Sequence, residues 1–202
     1  MTNGASCGIL YTIYDLCEET YMKLLIASDI HGDAEAAGTI AEHFAQGGYD
    51  KLLLLGDTLY HGPRNDLPAA YDPKAVISIL NPLSDRILAV RGNCDGEVDQ
   101  MVLHFPIMAD YCLLSLDGLT VFATHGHHFT KDAPPPLSKG DILLHGHTHV
   151  HTATPFGNEN LYLNPGSAAL PKEGQEKTFL SYEGRTFRLL RTDGTVVWEI
   201  RR

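Results

Sequence analysis

Basic residues and long apolar runs are both scarce in this 202-residue sequence. Fifteen Lys and Arg stand against 25 Asp and Glu, which gives a formal net charge of -10 at pH 7. A chain this acidic lacks the broad positive surface that binds a nucleic-acid backbone or an anionic membrane. The densest apolar run, residues 52–55, is far shorter than the roughly 20 residues that cross a bilayer. We therefore expect no membrane partner and no extended nucleic acid, and an anionic substrate must be attracted by something other than surface charge.

Cysteine is sparse as well. The four cysteines show no CxxC spacing, which argues against a disulfide framework. Residues 1–21 contain no Lys or Arg and no uninterrupted apolar stretch, so they lack the basic and apolar parts of a secretory signal. Both observations predict a cytoplasmic protein.

The first 21 residues also differ from the rest in pattern. They show no clear periodicity, whereas Met22 opens a compact strand pattern. We interpret residues 1–21 as an N-terminal extension, either disordered or added by a mis-assigned start, with an extra edge element of the fold as the alternative. Residues 22–202 are long and apolar enough to form one catalytic domain with a sizeable core.

The first half of the chain alternates strands with helices, and the second half is a run of strands. Apolar strand patterns occupy residues 23–28, 51–55 and 86–90. Asp33 can cap a helix that ends at Gly47, and Pro73 begins a short helix that runs to Leu80. Asp-Gly and Glu-Gly dipeptides mark turns between the later strands. The order indicates an α/β protein, and the exposed edges of its sheets are compatible with a homo-oligomer.

Residue types that bind metals follow the apolar runs at once. Five runs each end in Asp, His or Asn. Since sites in open α/β sheets form at the carboxyl ends of strands, we expect these side chains to converge at one rim. The seven residues are Asp29, His31, Asp57, Asn93, His125, His147 and His149.

The mixture of ligands indicates the kind of site. Two carboxylates, one amide and four imidazoles suit Mn, Fe, Zn, Co or Ni, and seven ligands exceed what one tetrahedral ion takes. We therefore expect two divalent ions with one bridging carboxylate. Two such ions about 3.5–4 Å apart can activate a water and clamp phosphoryl oxygens, so phosphoester hydrolysis is the predicted reaction. The loaded site carries a charge of about +2, which supplies the attraction that the acidic surface lacks.

The motifs SDIHGD, LLLLGDTLYHGPRN, VRGNCD, THGH and HGHTH occur in this order. The set resembles the calcineurin-like metallophosphoesterase superfamily, and within it the bacterial YfcE-type phosphodiesterases, from Met22 to near the C-terminus. The resemblance implies an α/β fold in which a β-sandwich of two sheets is flanked by helices (α/β/β/α). It also implies a dinuclear centre commonly loaded with Mn, with Ni, Co, Fe or Zn as alternatives, and hydrolysis of small phosphodiester substrates.

The same resemblance assigns a role to each of the seven residues. Asp57 and Asn93 are the expected catalytic residues, since Asp57 bridges the ions and Asn93 can also touch a phosphoryl oxygen. The first ion is expected on Asp29, His31 and His149, and the second on Asn93, His125 and His147.

One position departs from the wider superfamily. Many phosphomonoesterase members place a His directly after the motif Asn, where it can protonate the leaving oxygen, and this chain has Cys94 there. Because a thiol is a poor acid for an alkoxide, we expect a preference for diesters or aryl leaving groups over alkyl monoesters. Two alternatives stay open: a phosphomonoesterase or nucleotidase of the same fold, and a non-catalytic protein-interaction scaffold.

Arg64 and His127 are the expected substrate-binding residues. Arg64 can offer a bidentate guanidinium to a phosphate, or can instead hold its own loop or pair with Asp66. His127 either faces the substrate or supports a ligand from behind. For Asp95 we prefer the role of a cap on the next short helix to that of orienting the neighbouring Asn or Cys.

Overall fold

The computed structural model describes residues 21–202, which form two β-sheets packed against each other. The elements in the first half are β1 (Leu24–Ala27), α1 (Ala34–Gln46), β2 (Lys51–Leu54), α2 (Pro73–Leu80), a 3₁₀ helix (Asn81–Arg86), β3 (Ile87–Ala89) and α3 (Glu97–Gln100). Those in the second half are β4 (Tyr111–Leu116), β5 (Leu119–Thr124), β6 (Ile142–Leu144), β7 (Thr152–Phe156), β8 (Asn160–Asn164), β9 (Thr178–Glu183), β10 (Thr186–Arg191) and β11 (Val196–Arg201).

Each sheet contains three neighbouring parallel strands, and these bring their carboxyl ends together. The first sheet has the order β11-β10-β9-β1-β2-β3, in which β1, β2 and β3 are parallel. Their last residues Ala27, Leu54 and Ala89 pair across the sheet, so the three strands end level. The second sheet has the order β4-β5-β6-β8-β7, with β5, β6 and β8 parallel. The residues that follow these strands therefore meet at one rim.

The period of two along each strand builds two cores. On β1, Leu24 and Ile26 pack between the two sheets, whereas Leu25 and Ala27 pack under the helices. Because β1 and its neighbours are buried on both faces, their sequences are continuously apolar rather than alternating. Ile40 of α1 packs into the core that lies between the first sheet and the helices.

The expected sandwich and its helical layer are confirmed. Asp33 caps α1 through a hydrogen bond from the Ala36 backbone N–H, and Pro73 opens α2, as the sequence predicted. The outer face of the second sheet is covered differently in the described chain: an irregular segment brings Phe129 and Leu137 onto Phe122 and its neighbours. Among residues 21–202, no helix is both long and apolar enough to cross a bilayer.

One strand escaped the sequence analysis. The sequence of β7, TATPF, contains Pro155 and has no apolar strand pattern, because the strand is only partly buried and its side chains need not be apolar. It lies at an edge of the second sheet, where a proline is tolerated because no outer strand needs its missing N–H. The interpretation of residues 1–21 as an extension falls almost wholly outside the described residues and stays a prediction.

Replacing Gly38 by Ala is expected to stabilise the protein. Gly38 lies in the interior of α1, and a Cβ added there meets no atom within 4 Å. Alanine loses less conformational entropy than glycine when a helix forms, so the free energy of unfolding should rise by about 0.5–1 kcal/mol. Urea denaturation of both proteins measures the change, and a lower midpoint for Gly38→Ala would contradict the prediction.

Candidate metal centre

The residues expected to bind metal have an unusual backbone conformation. Nine non-glycine residues in the described part of the chain adopt positive φ, and five of them are expected ligands. They are Asp29, His31, Asp57, His147 and His149, with φ between 51° and 67°. Positive φ is unfavourable for residues with a Cβ and persists only where the surrounding fold enforces it. The concentration of this strain at one rim indicates a functional site.

Asp29, His31 and His149 form the first group of buried polar atoms. The two imidazole Nε2 atoms lie 3.1 Å apart. Asp29 Oδ1 lies 3.6 Å from the Nε2 atom of His31 and 3.3 Å from that of His149. The other carboxylate oxygen of Asp29 accepts hydrogen bonds from the Ser28 hydroxyl and the His147 backbone N–H, which directs Oδ1 toward the histidines.

The positions of the imidazole protons show what this group can bind. His31 Nδ1–H donates to the Tyr60 carbonyl at 2.8 Å, and His149 Nδ1–H donates to the Leu170 carbonyl at 2.6 Å. With the protons at Nδ1, both Nε2 atoms present lone pairs to each other and to Asp29 Oδ1. Among the described residues, Asp29 Oδ1 has no hydrogen-bond partner. Three buried lone pairs with no proton between them are unfavourable alone and fit a divalent cation.

A second group adjoins the first and shares Asp57 with it. Asp57 Oδ2 lies 3.7 Å from His31 Nε2 and 3.5 Å from His125 Nε2. The same His125 nitrogen lies 3.1 Å from Asn93 Oδ1 and 3.1 Å from His147 Nδ1. His125 Nδ1–H donates to the Leu55 carbonyl at 2.7 Å, so its Nε2 also presents a lone pair. The structure thus brings all seven expected side chains together, with Asp57 between the two groups.

Glycines at this rim leave room for the ligands. A Cβ on Gly146 would overlap the Ser28 hydroxyl and Asp29 Oδ2, and a Cβ on Gly92 would overlap Asp57 Oδ1. The backbone of each loop therefore packs directly against a carboxylate. Any side chain at these positions must displace an expected ligand.

Asp95 does not cap the following helix, and that expectation is wrong. Its buried carboxylate accepts hydrogen bonds from the backbone N–H groups of Asp57, Thr58 and Gly92, at 2.8, 2.9 and 2.7 Å. It thereby ties the loop after β2 to the loop after β3. The role of cap falls to Asp99, which accepts from the Gly96 N–H. Burial raises the pKa of the Asp95 carboxyl above its usual value.

Asn164 is a further positioning residue that the sequence analysis missed. Its buried amide donates to the Gly146 carbonyl and the Thr148 hydroxyl, at 2.9 and 3.0 Å, and its Oδ1 accepts from the Gly166 N–H. These bonds hold the loop that carries His147. A signal was available, because Asn164 is the last residue of β8 and so obeys the strand-end pattern of the ligands.

The two expected substrate-binding residues lie in different places. Arg64 lines a cavity of about 630 Å³ that opens over Asp57 and His147, and in the described chain it makes no ion pair with Asp66. His127 is not on the wall of this cavity; its ring centre lies 5.3 Å from that of His125. Burial lowers the pKa of His127 to about 4, so its imidazole is neutral near pH 7. The cavity wall also includes Lys172, which the sequence analysis did not identify.

Charges around the centre favour an ionised Asp29, and burial lowers the pKa of His31 less than the hydrogen bond and charge of Asp29 raise it. Burial opposes ionisation of Asp29, but the neighbouring His149 and His31 outweigh it and hold the pKa of this carboxyl well below its usual value. Burial also lowers the pKa of His147, which leaves its nitrogen lone pair available.

Cys94 lies on the cavity wall beside these groups. Burial, together with the nearby Asp57 carboxylate, raises the pKa of its thiol, which stays protonated near pH 7. The backbone N–H of Cys94 donates to Asp57 Oδ1 at 2.8 Å, so the residue helps to orient that carboxylate. The thiol is consequently neither a reactive thiolate nor an effective proton donor.

Comparison with known proteins agrees with the motifs. A family model described as the calcineurin-like phosphoesterase superfamily domain matches residues 22–186. The phosphodiesterase YfcE of Escherichia coli is 48% identical over 158 residues, which are 78% of this chain and 85% of YfcE. A phosphodiesterase of Methanocaldococcus jannaschii is 26% identical over 153 residues, which are 72% of this chain and 83% of that protein. The solved structure of E. coli YfcE matches with a TM-score of 0.85 and 42% identity, over 89% of this chain and 98% of that chain.

Gly146→Ala is expected to weaken metal binding. The added methyl group overlaps Ser28 and Asp29, so the Asp29 carboxylate must move away from the two histidines. We expect a loss of about 10–100-fold in metal affinity, the usual effect of disturbing groups that support ligands. Calorimetric titration of metal-stripped protein with Mn²⁺ measures the affinity. Gly38→Ala is the matched control, since its methyl group meets nothing, and equal affinity in the two variants would overturn the prediction.

Asp95→Ala is expected to destabilise the metal-stripped protein. The substitution leaves three backbone N–H groups without their acceptor in a buried place, and each such donor costs about 1–3 kcal/mol. The free energy of unfolding in urea should fall by about 3 kcal/mol or more. Asp99→Ala removes only a helix cap and should cost about 1 kcal/mol. A smaller loss for Asp95→Ala than for Asp99→Ala would show that Asp95 does not tie the two loops.

Proposed function

Because this chain belongs to the calcineurin-like phosphoesterase superfamily, we propose that its seven clustered side chains hold two divalent metal ions and that small phosphodiesters are hydrolysed there. The reaction class follows from the family and from the 48% identity to a named phosphodiesterase: the chain is a metal-dependent phosphodiesterase. The observation that carries the dinuclear proposal is the convergence of imidazole nitrogens on carboxylate oxygens in two adjoining groups.

The proposed ligand sets follow these two groups. Asp57 would be the ligand shared by the two ions, because its Oδ2 atom faces a histidine of each group. Mn is the metal we propose first, and Ni, Co, Fe and Zn suit the same nitrogen and oxygen donors. One ion takes Asp29, His31 and His149, and the other takes Asn93, His125 and His147.

The protein contributes orientation to the reaction. When bound, the two ions polarise the phosphoryl group and lower the pKa of a water. The hydrogen bonds from Nδ1 atoms to carbonyls keep the imidazole lone pairs directed inward throughout. Asn93 Nδ2, which lies 3.2 Å from Cys94 Sγ, is on the cavity wall and can donate to a phosphoryl oxygen of the substrate.

The leaving group departs without a strong acid from the protein. The position after Asn93 holds the neutral thiol of Cys94, which is too weak an acid to assist an alkoxide. Esters with good leaving groups, such as aryl diesters, are therefore the preferred substrates over alkyl monoesters. This disfavours the phosphomonoesterase alternative, and a complete set of seven ligand-competent residues disfavours the non-catalytic scaffold.

Two further proposals concern the protein as a whole. We propose a cytoplasmic location, supported by the free thiols of Cys94 and Cys112 in the described chain, which suit a reducing compartment. We also propose a homo-oligomer, supported by the exposed Tyr111 and Leu113 on β4, an edge strand of the second sheet.

Hydrolysis of bis(4-nitrophenyl) phosphate by metal-stripped protein tests the proposed function. Mn²⁺, Ni²⁺, Co²⁺, Zn²⁺ and Mg²⁺ are added back separately, and the matching monoester is assayed in parallel. We expect activity that requires metal and exceeds the monoester activity. Asp57→Asn should lower it by at least about 100-fold, because the shared carboxylate is lost.

Asp66→Asn is the matched control, since Asp66 is an exposed carboxylate on the loop that follows Asp57 and should be replaceable without effect. Metal content is determined for each protein by elemental analysis. A folded wild-type protein that takes up no metal and shows no activity would contradict the proposed function and support the non-catalytic protein-interaction scaffold. Faster cleavage of an alkyl monoester than of the aryl diester would contradict the role assigned to Cys94.

A further inference from the structure

Among residues 21–202, two basic side chains on the cavity wall have no side-chain hydrogen bond or ion pair, although most of the basic residues of this acidic chain are engaged. Lys23, Lys139, Lys177 and Arg188 form ion pairs, and other arginines donate to carbonyls. In the described chain, Arg64 and Lys172 make no side-chain hydrogen bond or ion pair, and both are exposed. The only carboxylate on the same wall is Asp57, which the proposed metal centre uses. The positively charged side chains of Arg64 and Lys172 are therefore available to bind an anionic substrate in the cavity above the proposed metal centre.

The turns that carry these cations are tied to the same half of the centre. The Tyr60 carbonyl, four residues before Arg64, accepts the Nδ1–H of His31. The Leu170 carbonyl, two residues before Lys172, accepts the Nδ1–H of His149. Lys172 is held further by its backbone N–H, which donates to the His149 carbonyl at 3.1 Å. The turns that carry Arg64 and Lys172 are therefore anchored to the Asp29, His31 and His149 group through their main chain.

The cavity is larger than the reacting group requires. Its volume of about 630 Å³ is that of a site for a whole small molecule, and only part of its wall consists of the proposed ligands Asp57, Asn93, His147 and His149. A guanidinium and an ammonium together suit a phosphoryl group, the first through paired hydrogen bonds and the second as a point charge. A simple diester carries one negative charge, which the centre itself neutralises. A second anionic group on the substrate would give the Arg64 and Lys172 side chains a partner of opposite charge.

We propose that Arg64 and Lys172 select phosphodiesters that carry a second phosphoryl group, so that the substrates are diphosphate diesters of the nucleoside diphosphate conjugate class. This inference rests on the proposed function and names its substrate class. In hydrolysis of such a compound, one water adds across the P–O–P linkage. The P–O bond at the attacked phosphorus breaks, and the bridging oxygen leaves on the other phosphoryl group, so that two monoesters form. Arg64 and Lys172 bind the second phosphoryl group and are specificity-determining residues.

Diadenosine diphosphate and adenylyl adenosine are the two substrates for the test. Both carry two adenosines, but the diphosphate has a second phosphoryl group and also a better leaving group, a phosphate instead of a ribose alkoxide. With Mn²⁺-loaded wild type we expect kcat/KM for the diphosphate to exceed that for the monophosphate by about tenfold or more, and the change of this ratio in the variants isolates the part that Arg64 and Lys172 contribute. In Lys172→Gln and Arg64→Gln this ratio should fall by about tenfold, through KM rather than kcat. Lys172→Arg, which keeps the charge, should restore most of it.

Lys74→Gln is the control for loss of one positive charge, because Lys74 is also exposed and unpaired in the described chain but lies on α2, away from the cavity wall. Calorimetric binding of the methylene-bridged analogue of diadenosine diphosphate gives a readout that does not depend on turnover. Its Kd should rise by about tenfold in Lys172→Gln and stay at the wild-type value in Lys74→Gln.

Equal kcat/KM for the two dinucleotides in wild type would overturn the proposal. So would a Lys172→Gln variant that loses activity equally toward both, since that result assigns Lys172 a general role. Hydrolysis of bis(4-nitrophenyl) phosphate distinguishes failure of the substrate class from failure of the phosphodiesterase assignment. If wild type hydrolyses it but does not prefer the diphosphate, the phosphodiesterase assignment stands and only the substrate class is wrong. If wild type hydrolyses neither, the proposed function fails, and the substrate class fails with it.

Discussion

Hydrogen bonds from three imidazole Nδ1 atoms to main-chain carbonyls determine what the rim of this sandwich can bind. His31, His125 and His149 each donate in this way, to Tyr60, Leu55 and Leu170. Each bond fixes one tautomer and turns the remaining lone pair inward. Without these bonds, the Nε2 atoms could carry the imidazole protons and donate hydrogen bonds to the buried carboxylates, with no metal ion needed. The main chain, rather than the ligands alone, therefore keeps the centre selective for a cation.

Such a centre is costly for the fold that contains it. Asp29 and Asp57 are almost completely buried, and both adopt positive φ. Burial of ionised carboxylates is unfavourable unless an opposite charge accompanies them. The surrounding structure meets this cost with two apolar cores and with buried polar residues such as Asp95 and Asn164, which hold the strained loops. A bound cation would then remove the largest remaining electrostatic penalty.

Much of this arrangement could be predicted from the sequence, and the rest depends on contacts between distant segments. Apolar runs predicted the central strands, and their common direction predicted that Asp29, Asp57 and His125 meet. The role of Asp95 could not be predicted locally, because a carboxylate before a short helix also suits a cap, and two of its three donors lie 37 and 38 residues away. Lys172 was missed for a similar reason: it follows no strand directly, and only the fold brings its turn to His149.

The separation between the floor and the rim of the cavity has an evolutionary consequence. Arg64 and Lys172 are exposed and their side chains make no hydrogen bond or ion pair in the described chain, whereas the groups beneath them are buried and mutually dependent. Substitutions of Arg64 and Lys172 therefore avoid the losses of stability and metal affinity that accompany substitutions of the buried residues beneath them. A lineage with this architecture can therefore acquire new substrates by drift at two surface positions while purifying selection preserves the chemistry underneath.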